Sequence, residues 1–452
     1  MAKVAFHNLG CKVNAYETEY IQQTFLENGY EVVPFTEKAD VYVINTCSVT
    51  NMADHKSRQM LNRAKRMNPD AVVIATGCYV QTDKDGAMKE MNIDLLVGNN
   101  QKKELFHLYQ EYLEKMDGIC AQELNRLKGK AVLKIEEETE YEEYTLTDTN
   151  DHTRAYIKIQ DGCNQFCSYC IIPYARGRIR SRKMQDVLHE IEGLAKKGFH
   201  EVVLTGIHLS SYGKKKGEPI EGNSELVSLI EQISAIENID RIRLGSLEPR
   251  IITPEFLQRL ADNDKFCPHF HLSLQSGCDS VLKRMNRHYT ADEYYEKVQL
   301  IREYFEHPAL TTDVIVGFPG ETEEEFRITR EFLNKVNFYE VHVFKYSRRK
   351  GTVADKMPDQ IPEKVKTERS NLLIQDSEIR EKAYREWYIG KEVELLVEED
   401  LSLHDTVYQT GFTREYVKVA VKKTQDMTNR VIKGTAGNFL TDVILEFSYN
   451  LR

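Results

Sequence analysis

At 452 residues, with 41% hydrophobic and 29% charged side chains, the chain has the composition of a soluble globular protein and the length for about three domains. Its net charge of -10 argues against indiscriminate coating of nucleic acid but leaves room for local basic patches. No apolar run approaches the roughly 18 residues of a membrane span, and the N-terminal MAKVAFHNLGCKVN lacks the apolar core of a secretory signal; a cytoplasmic protein with no membrane partner is expected. Nine cysteines are too sparse for a disulfide framework, and in a reducing compartment clustered cysteines read as metal ligands.

Residues 1–118 alternate apolar runs with amphipathic stretches. Strands are expected at Lys3 to Leu9, Asp40 to Asn45, Ala71 to Thr76 and Asp94 to Val97, with helices at Tyr16 to Asn28 and Ala53 to Met67. That alternation predicts a parallel sheet wrapped on both faces. Cys11, Cys47 and Cys78 share no spacing, yet each falls just past the carboxyl end of a strand, where an open α/β sheet gathers its ligands. Three thiolates are therefore expected to converge there, the alternative being three unrelated buried cysteines. Gly10 and Gly77, directly before two of them, allow the tight turns this requires.

Residues 119–150, including IEEETEYEEYTLTDTNDH, are acidic and poor in large aliphatic residues, and read as a solvated connector. Cys120 at its border, like Cys267 and Cys278 further on, reads as structural.

From 151 to 383, strand and helix signals repeat. Strand runs at Ala155 to Ile159, Glu201 to Thr205, Arg241 to Leu244, His269 to Leu274, Leu310 to Val316 and Glu340 to Tyr346 make six strand-helix units. Six are too few to close an eight-unit barrel, so an open partial barrel is expected, with its site at the carboxyl ends of the strands. The loop after the first strand carries Cys163, Cys167 and Cys170 as C-x3-C-x2-C. Three soft ligands are one short of a closed zinc site and one short of a fully ligated four-iron cube. A cube held by three thiolates keeps one iron open, and an open iron can chelate S-adenosylmethionine (SAM) and reduce it. The alternatives are a zinc knuckle completed by a distant histidine, or a chance grouping.

Other residues fall at the same face by position: Gly206 after the second strand, Ser273 and Gln275 at the end of the fourth, and Gly317 opening GFPGET after the fifth. Glu321 of that loop reads either as a ligand contact or as an N-terminal helix residue favoured by the helix dipole. Two basic runs flank this mouth, Arg176, Arg178, Arg180, Arg182 and Lys183 after the cysteines, and Lys345, Arg348, Arg349 and Lys350 after the sixth strand. A charge run is usually a solvated surface, but the placement favours phosphate contacts with an RNA. From residue 384, β-branched and aromatic runs separated by turns predict a small antiparallel barrel. Its eight Lys and Arg against ten Asp and Glu, counted from Lys391, give no basic face, so Arg414, Lys418, Lys422 and Lys423 are candidate RNA contacts by resemblance alone.

The stretch AYIKIQDGCNQFCSYCIIPYARGRIRSRK, with Tyr169 immediately before the third cysteine, resembles the radical SAM superfamily. LGCKVNAYETE, INTCSVTNMAD and ATGCYVQ resemble the cysteine signatures of the methylthiotransferase N-terminal domain, and the C-terminal region resembles the RNA-binding TRAM barrel. The resemblance implies four segments: an N-terminal cluster domain at 1–118, an acidic linker at 119–150, a radical SAM partial barrel at 151–383 and a TRAM barrel at 384–452. It implies two [4Fe-4S] clusters, one on Cys11, Cys47 and Cys78, the other catalytic on Cys163, Cys167 and Cys170. SAM would act as both methyl donor and radical source, with Tyr169, Gly206, Ser273, Gln275 and Gly317 binding it. The expected partners are a tRNA anticodon stem-loop, an electron donor such as flavodoxin or ferredoxin, and a sulfur source. IIPYARGRIRSR, LSLQSGCDSVLKRMNR and KYSRRKGTVADKMPDQ resemble the branch that methylthiolates C2 of N6-threonylcarbamoyladenosine. An arginine fork at Arg348 or Arg349 would suit the carboxylate of that substituent. The alternatives are the isopentenyladenosine enzyme, the enzyme that modifies a ribosomal-protein aspartate, and a non-catalytic zinc and RNA-binding protein.

Overall fold

The computed structural model describes residues 1–90, 92–116, 128–149 and 153–449, which leaves Cys120 outside the described residues. The chain gathers into two compact units: Met1–Asp148 with Lys158–Arg182 and Ser347–Lys356, and Thr149–Ile157 with Lys183–Tyr346 and Met357–Arg452.

The first unit is built on five strands, β1 (Lys3–Asn8), β2 (Glu31–Val33), β3 (Val41–Thr46), β4 (Val72–Gly77) and β5 (Leu95–Val97), in the order β2-β1-β3-β4-β5. Every pairing is parallel. Strands β3, β4 and β5 are buried at every position, as a sheet covered on both faces requires. Alternate residues of β3 go to opposite cores: Tyr42 and Ile44 pack with Leu61 and Ala64 of helix α2 (Asn51–Met67), and Val41 and Val43 with Ile21 and Phe25 of helix α1 (Lys12–Glu27). The sandwich expected from the sequence is present; the three-residue β2 was not foreseen, because EVV is too short to carry a period.

The reading of 119–150 as a solvated connector is corrected for its described part. Ile135, Tyr144 and Leu146 are buried, and Tyr144 and Leu146 pack with Tyr16. Glu143 pairs with Arg182, and Glu142 accepts from the Lys103 amide. Glu142 and Glu143 find an amide and a cation in the same unit while Glu136, Glu137 and Glu140 face solvent, so charge content alone misjudged the segment.

The second unit carries the parallel strands expected of a partial barrel: β8 (Glu201–Gly206) pairs with β9 (Arg241–Leu244), β10 (His269–His271) with β11 (Ala309–Val316), and β11 with β12 (Glu340–Lys345). An isolated parallel bridge, Leu247↔Leu272, links the two sets. Strand β6 (Arg154–Asp161) begins in this unit and runs on into the first, where Gln160 and Asp161 pair antiparallel with β7 (Arg180–Ser181). Helices intervene at Met184–Lys196, Ser224–Ser234, Pro254–Ala261, Ala291–Tyr304 and Glu323–Val336, the last two opened by capping boxes at Thr290 and Thr322. The C-terminal strands β13 (Glu392–Leu403), β14 (Thr406–Phe412), β15 (Lys418–Lys422), β16 (Val431–Thr441) and β17 (Ile444–Ser448) close a barrel in the order β13-β14-β15-β17-β16. Its pairings are antiparallel except β15 with β17, which is parallel. The long helix Glu363–Glu386 precedes it.

Candidate metal centres

Both cysteine sets lie in the first unit. Because β1, β3 and β4 are adjacent strands, the residues that follow them emerge side by side: Cys11 caps α1, Cys47 follows β3, and Cys78 opens the short helix α3 (Cys78–Thr82). Two glycines hold the loops together. Gly10 has φ +107°, and a Cβ there would stand 3.0 Å from Cys47 Sγ; Gly77 has φ +98°, and a Cβ there would meet Asn45 Oδ1 at 2.6 Å. Burial pushes the Cys47 thiol up to about 11, with Cys78 and then Cys11 adding to the rise, so the three sulfurs sense one another. Cys47 and Cys78 are buried and Cys11 is exposed, and like charges crowded at such a site need a cation or a metal to be stable as thiolates.

The second set is local. The Cys163 amide donates to Gly177 O at 3.1 Å and the Cys170 amide to Cys167 O at 3.0 Å. Gly162, at φ +73°, lets β6 turn into the loop. All three thiols are half-buried, as a site with an open ligand position requires.

A buried ionic network lies beside the Cys11, Cys47 and Cys78 loops. Glu17 on α1 receives Arg176 Nη1 at 2.6 Å, Lys158 Nζ at 2.7 Å and Lys102 Nζ. Asp161 receives Lys158 Nζ at 2.6 Å and Arg176 Nη1 at 3.2 Å. Arg176 also donates to Asn14 Oδ1, three residues past Cys11. Asn99 donates to Ala175 O at 2.7 Å and lies 3.7 Å from Cys78 Sγ. Burial works against the Arg176 charge, but Glu17, Asp161 and Cys78 outweigh it and hold the guanidinium well above its usual range. Arg176 Nε and Arg180 Nε and Nη1 are buried without a protein acceptor. Cationic donors with spare capacity beside three gathered thiols fit an anionic thiolate-ligated cluster.

The expectation that Arg176, Arg180 and Arg182 meet RNA phosphates is therefore corrected: they are 0%, 4% and 2% exposed, with partners inside the first unit. Arg178, exposed over the Phe166 ring at 4.4 Å, remains open to solvent. Arg349 is corrected too. Its two terminal nitrogens are spent on Ser48 Oγ (2.6 Å), Asp54 Oδ2 (2.7 Å) and Asn51 Oδ1 (2.8 Å), beside Cys47. The same segment sends the Ala354 amide to Ser168 O at 2.8 Å, between Cys167 and Cys170, so Ser347–Lys356 braces a loop of each set. Arg348 is exposed and pairs with Asp355 at 2.6 Å.

In the second unit, Gly206 ends β8, and Ser273 and Gln275 follow β10 half-buried on the side of His271. Gln275 adopts φ +70°, with its amide donating to Asp313 O at 2.8 Å. The bare Cα of Gly317, at φ +71°, accommodates the Lys366 side chain, a packing reason for that glycine apart from any ligand. Glu321 is 3% exposed; it accepts from the Gly317 amide at 2.7 Å and pairs with Arg369 at 2.7 Å, so it closes its own loop, and the helix cap is Thr322. Arg414 donates to Phe266 O at 2.7 Å, Lys418 pairs with Glu399 at 3.1 Å and Lys423 with Asp400 at 2.5 Å, leaving Lys422 exposed.

Comparisons with known proteins agree with this geometry. Residues 157–333 match the radical SAM superfamily, and residues 3–98 match the uncharacterized protein family UPF0004. The threonylcarbamoyladenosine tRNA methylthiotransferase MtaB of Bacillus subtilis (strain 168) is 42% identical over 96% of this chain and 93% of its own length. The chain belongs to the radical SAM methylthiotransferase family. Its MtaB relative from Aquifex aeolicus (strain VF5) is 42% identical over 88% of this chain and 93% of its own. The tRNA-2-methylthio-N(6)-dimethylallyladenosine synthase of Acetivibrio thermocellus is 34% identical over 90% and 83%. Among solved structures, the radical SAM methyltransferase TsrM from Kitasatospora setae shares the fold, with a TM-score of 0.57 at 17% identity over 76% of this chain and 73% of that one. Membership implies a [4Fe-4S] cluster and SAM. Among the described residues no helix is long and apolar enough to cross a membrane.

Proposed function

We propose that this family member is a tRNA methylthiotransferase acting on C2 of N6-threonylcarbamoyladenosine beside the anticodon, in the cytoplasm. The observation that carries the substrate is the 42% identity to MtaB relatives along nearly the full chain, against 34% to an enzyme named for dimethylallyladenosine. The observation that carries the chemistry is two separate three-thiol sites in one unit.

In this reading Cys163, Cys167 and Cys170 hold one [4Fe-4S] cluster, and Cys11, Cys47 and Cys78 hold a second. When bound, the first would supply an electron for the reductive cleavage of SAM, and the second would supply the sulfur that becomes methylated. The chain's own part is to hold and shield. Arg176 and Lys102 offset negative charge beside the N-terminal thiols, Asn99 reaches Cys78 Sγ, and Arg349 and the Ala354 amide brace a loop of each set. Tyr169, Gly206, Ser273, Gln275 and Gly317 are the proposed SAM contacts. Arg178, Arg348, Lys422 and Lys423 are the remaining candidates for RNA phosphate, with an electron donor of the flavodoxin or ferredoxin class and a sulfur source completing the reaction.

The test is expression in a bacterial strain lacking its own methylthiotransferases, with tRNA nucleosides read by mass spectrometry. A methylthio increment on threonylcarbamoyladenosine supports the reading; an increment on isopentenyladenosine alone, or none from soluble protein with both clusters loaded, overturns it. Paired variants then separate the sites. Cys170→Ala should abolish 5'-deoxyadenosine formation, whereas Cys78→Ala should retain it and lose only the methylthio product, each with about half the iron of the parent.

A further inference from the structure

Strands buried in a parallel sheet are usually apolar on both faces. One face of β10, β11 and β12 buries Phe270, Leu310, Val314 and Val341. The other face carries His271, Thr311, Asp313, Glu340 and His342, brought together by register: Thr311 lies opposite both His271 and Glu340, and Asp313 opposite His342. His271 Nε2 stands 3.3 Å from Asp313 Oδ2, and its Nδ1 meets Thr311 Oγ1 at 2.9 Å. The His271 and His342 rings stack at 5.6 Å, and His342 Nδ1 is 3.5 Å from Glu340 Oε1.

Such a row is costly inside a sheet unless it is used, because each imidazole and carboxylate gives up water. It is also accessible: the Asp313 and His342 side chains are 30% and 43% exposed. Ser273 and Gln275 continue the His271 side of the chain past the carboxyl end of β10, the end at which strands of such barrels gather ligands.

We propose that His271, Asp313 and His342, with Thr311 and Glu340, form the subsite that hydrogen-bonds the N6-threonylcarbamoyl group of the substrate adenosine. The inference rests on the substrate reading above and names the residues that enforce it. The substituent offers N–H and hydroxyl donors together with carbonyl and carboxylate acceptors. The strand face offers the complement, imidazole and hydroxyl donors interleaved with carboxylate acceptors. An isopentenyl group in the same place would make none of these hydrogen bonds while displacing the water around the half-exposed Asp313 and His342, which is how a polar site disfavours an apolar analogue. The arginine fork expected from the sequence is not needed, since Arg349 is committed to Ser48, Asn51 and Asp54.

The experiment compares loaded enzyme with its Asp313→Asn and His342→Phe variants on anticodon stem-loops bearing threonylcarbamoyladenosine, isopentenyladenosine or plain adenosine. The readouts are kcat/KM, stem-loop affinity, and 5'-deoxyadenosine formed without RNA. Each variant should lose at least about tenfold in kcat/KM on the threonylcarbamoyl stem-loop, with its preference over plain adenosine reduced and RNA-free SAM cleavage unchanged. Unchanged discrimination by both variants of an enzyme that prefers threonylcarbamoyladenosine would overturn the subsite alone. Wild-type preference for the isopentenyl stem-loop would overturn the substrate reading with it. One equivalent of zinc or manganese per loaded chain, lost on His271→Ala, would assign the cluster to a cation and overturn the subsite.

Discussion

Glu17 in the first unit and Glu201 in the second are both fully buried carboxylates gripped by cations, yet the two networks are finished differently. Glu201 takes Arg243 Nε at 2.8 Å and Arg241 Nη1 at 3.5 Å, and Arg241 Nε is matched again by Glu394 at 2.9 Å. The remaining guanidinium donors go to backbone: Arg241 to Phe412 O at 2.9 Å, Arg243 to Arg414 O at 2.9 Å and Thr413 O at 3.3 Å. Charge is balanced and donors are used up, so that network pins the C-terminal barrel to β8 and β9. Around Glu17 and Asp161 stand Arg176, Lys102, Lys158 and Arg180, two cations in excess, and both Arg176 and Lys102 feel Cys78. A buried surplus charge is expensive unless an anion stands near it. The first network is thus shaped for thiolates, the second for a joint.

The sharpest way to break this contrast is Arg176→Met. Breaking the buried contacts that Arg176 makes with both Glu17 and Asp161 should cost about 3–5 kcal/mol in anaerobic denaturation of the loaded protein. Because the same cation offsets the thiolates, iron should also fall toward half. Destabilisation with full iron retention would show that the network serves packing alone. Arg243→Met is the matching control, expected to cost about 3 kcal/mol by leaving Glu201 only its longer contact with Arg241, while iron and its absorbance stay untouched. Loss of iron there would erase the distinction between the two networks.

The same contrast explains what could be read from the sequence. C-x3-C-x2-C was plain because its geometry is local, and the dispersed cysteines became legible once each was placed at the end of an adjacent strand. The arginine run was misread because spacing says nothing of burial. Arg178 points out, while Arg176, Arg180 and Arg182 find Glu17, Asn100 and Glu143 far away in the chain. Such pairings depend on which strands become neighbours, as does the register that lines up His271, Asp313 and His342 from three separate strands. Glu17 stands in YETE, six residues past Cys11, with nothing in its surroundings to set it apart from Glu19.

Glu248 tests the smaller end of the scale, where one buried carboxylate has partners that are only half covered. It follows β9 and is 5% exposed, with Arg250 Nε at 2.5 Å and His208 Nε2 at 3.7 Å. Burial opposes its charge, but hydrogen bonds from His208 and Arg250 win and hold the carboxyl at about 2, below its ordinary 4.5. A folded value below the unfolded one means that the unfolded chain binds the proton first. The stabilisation is therefore complete above pH 4.5 and is lost as pH falls through 2. Glu248→Gln should remove about 2 kcal/mol near neutral pH, less than either arginine variant because Arg250 can turn to water. The parent and variant denaturation curves should converge as pH drops from 4.5 towards 2. A gap that stayed constant across that window would mean that the site is held by shape, with the charge contributing nothing.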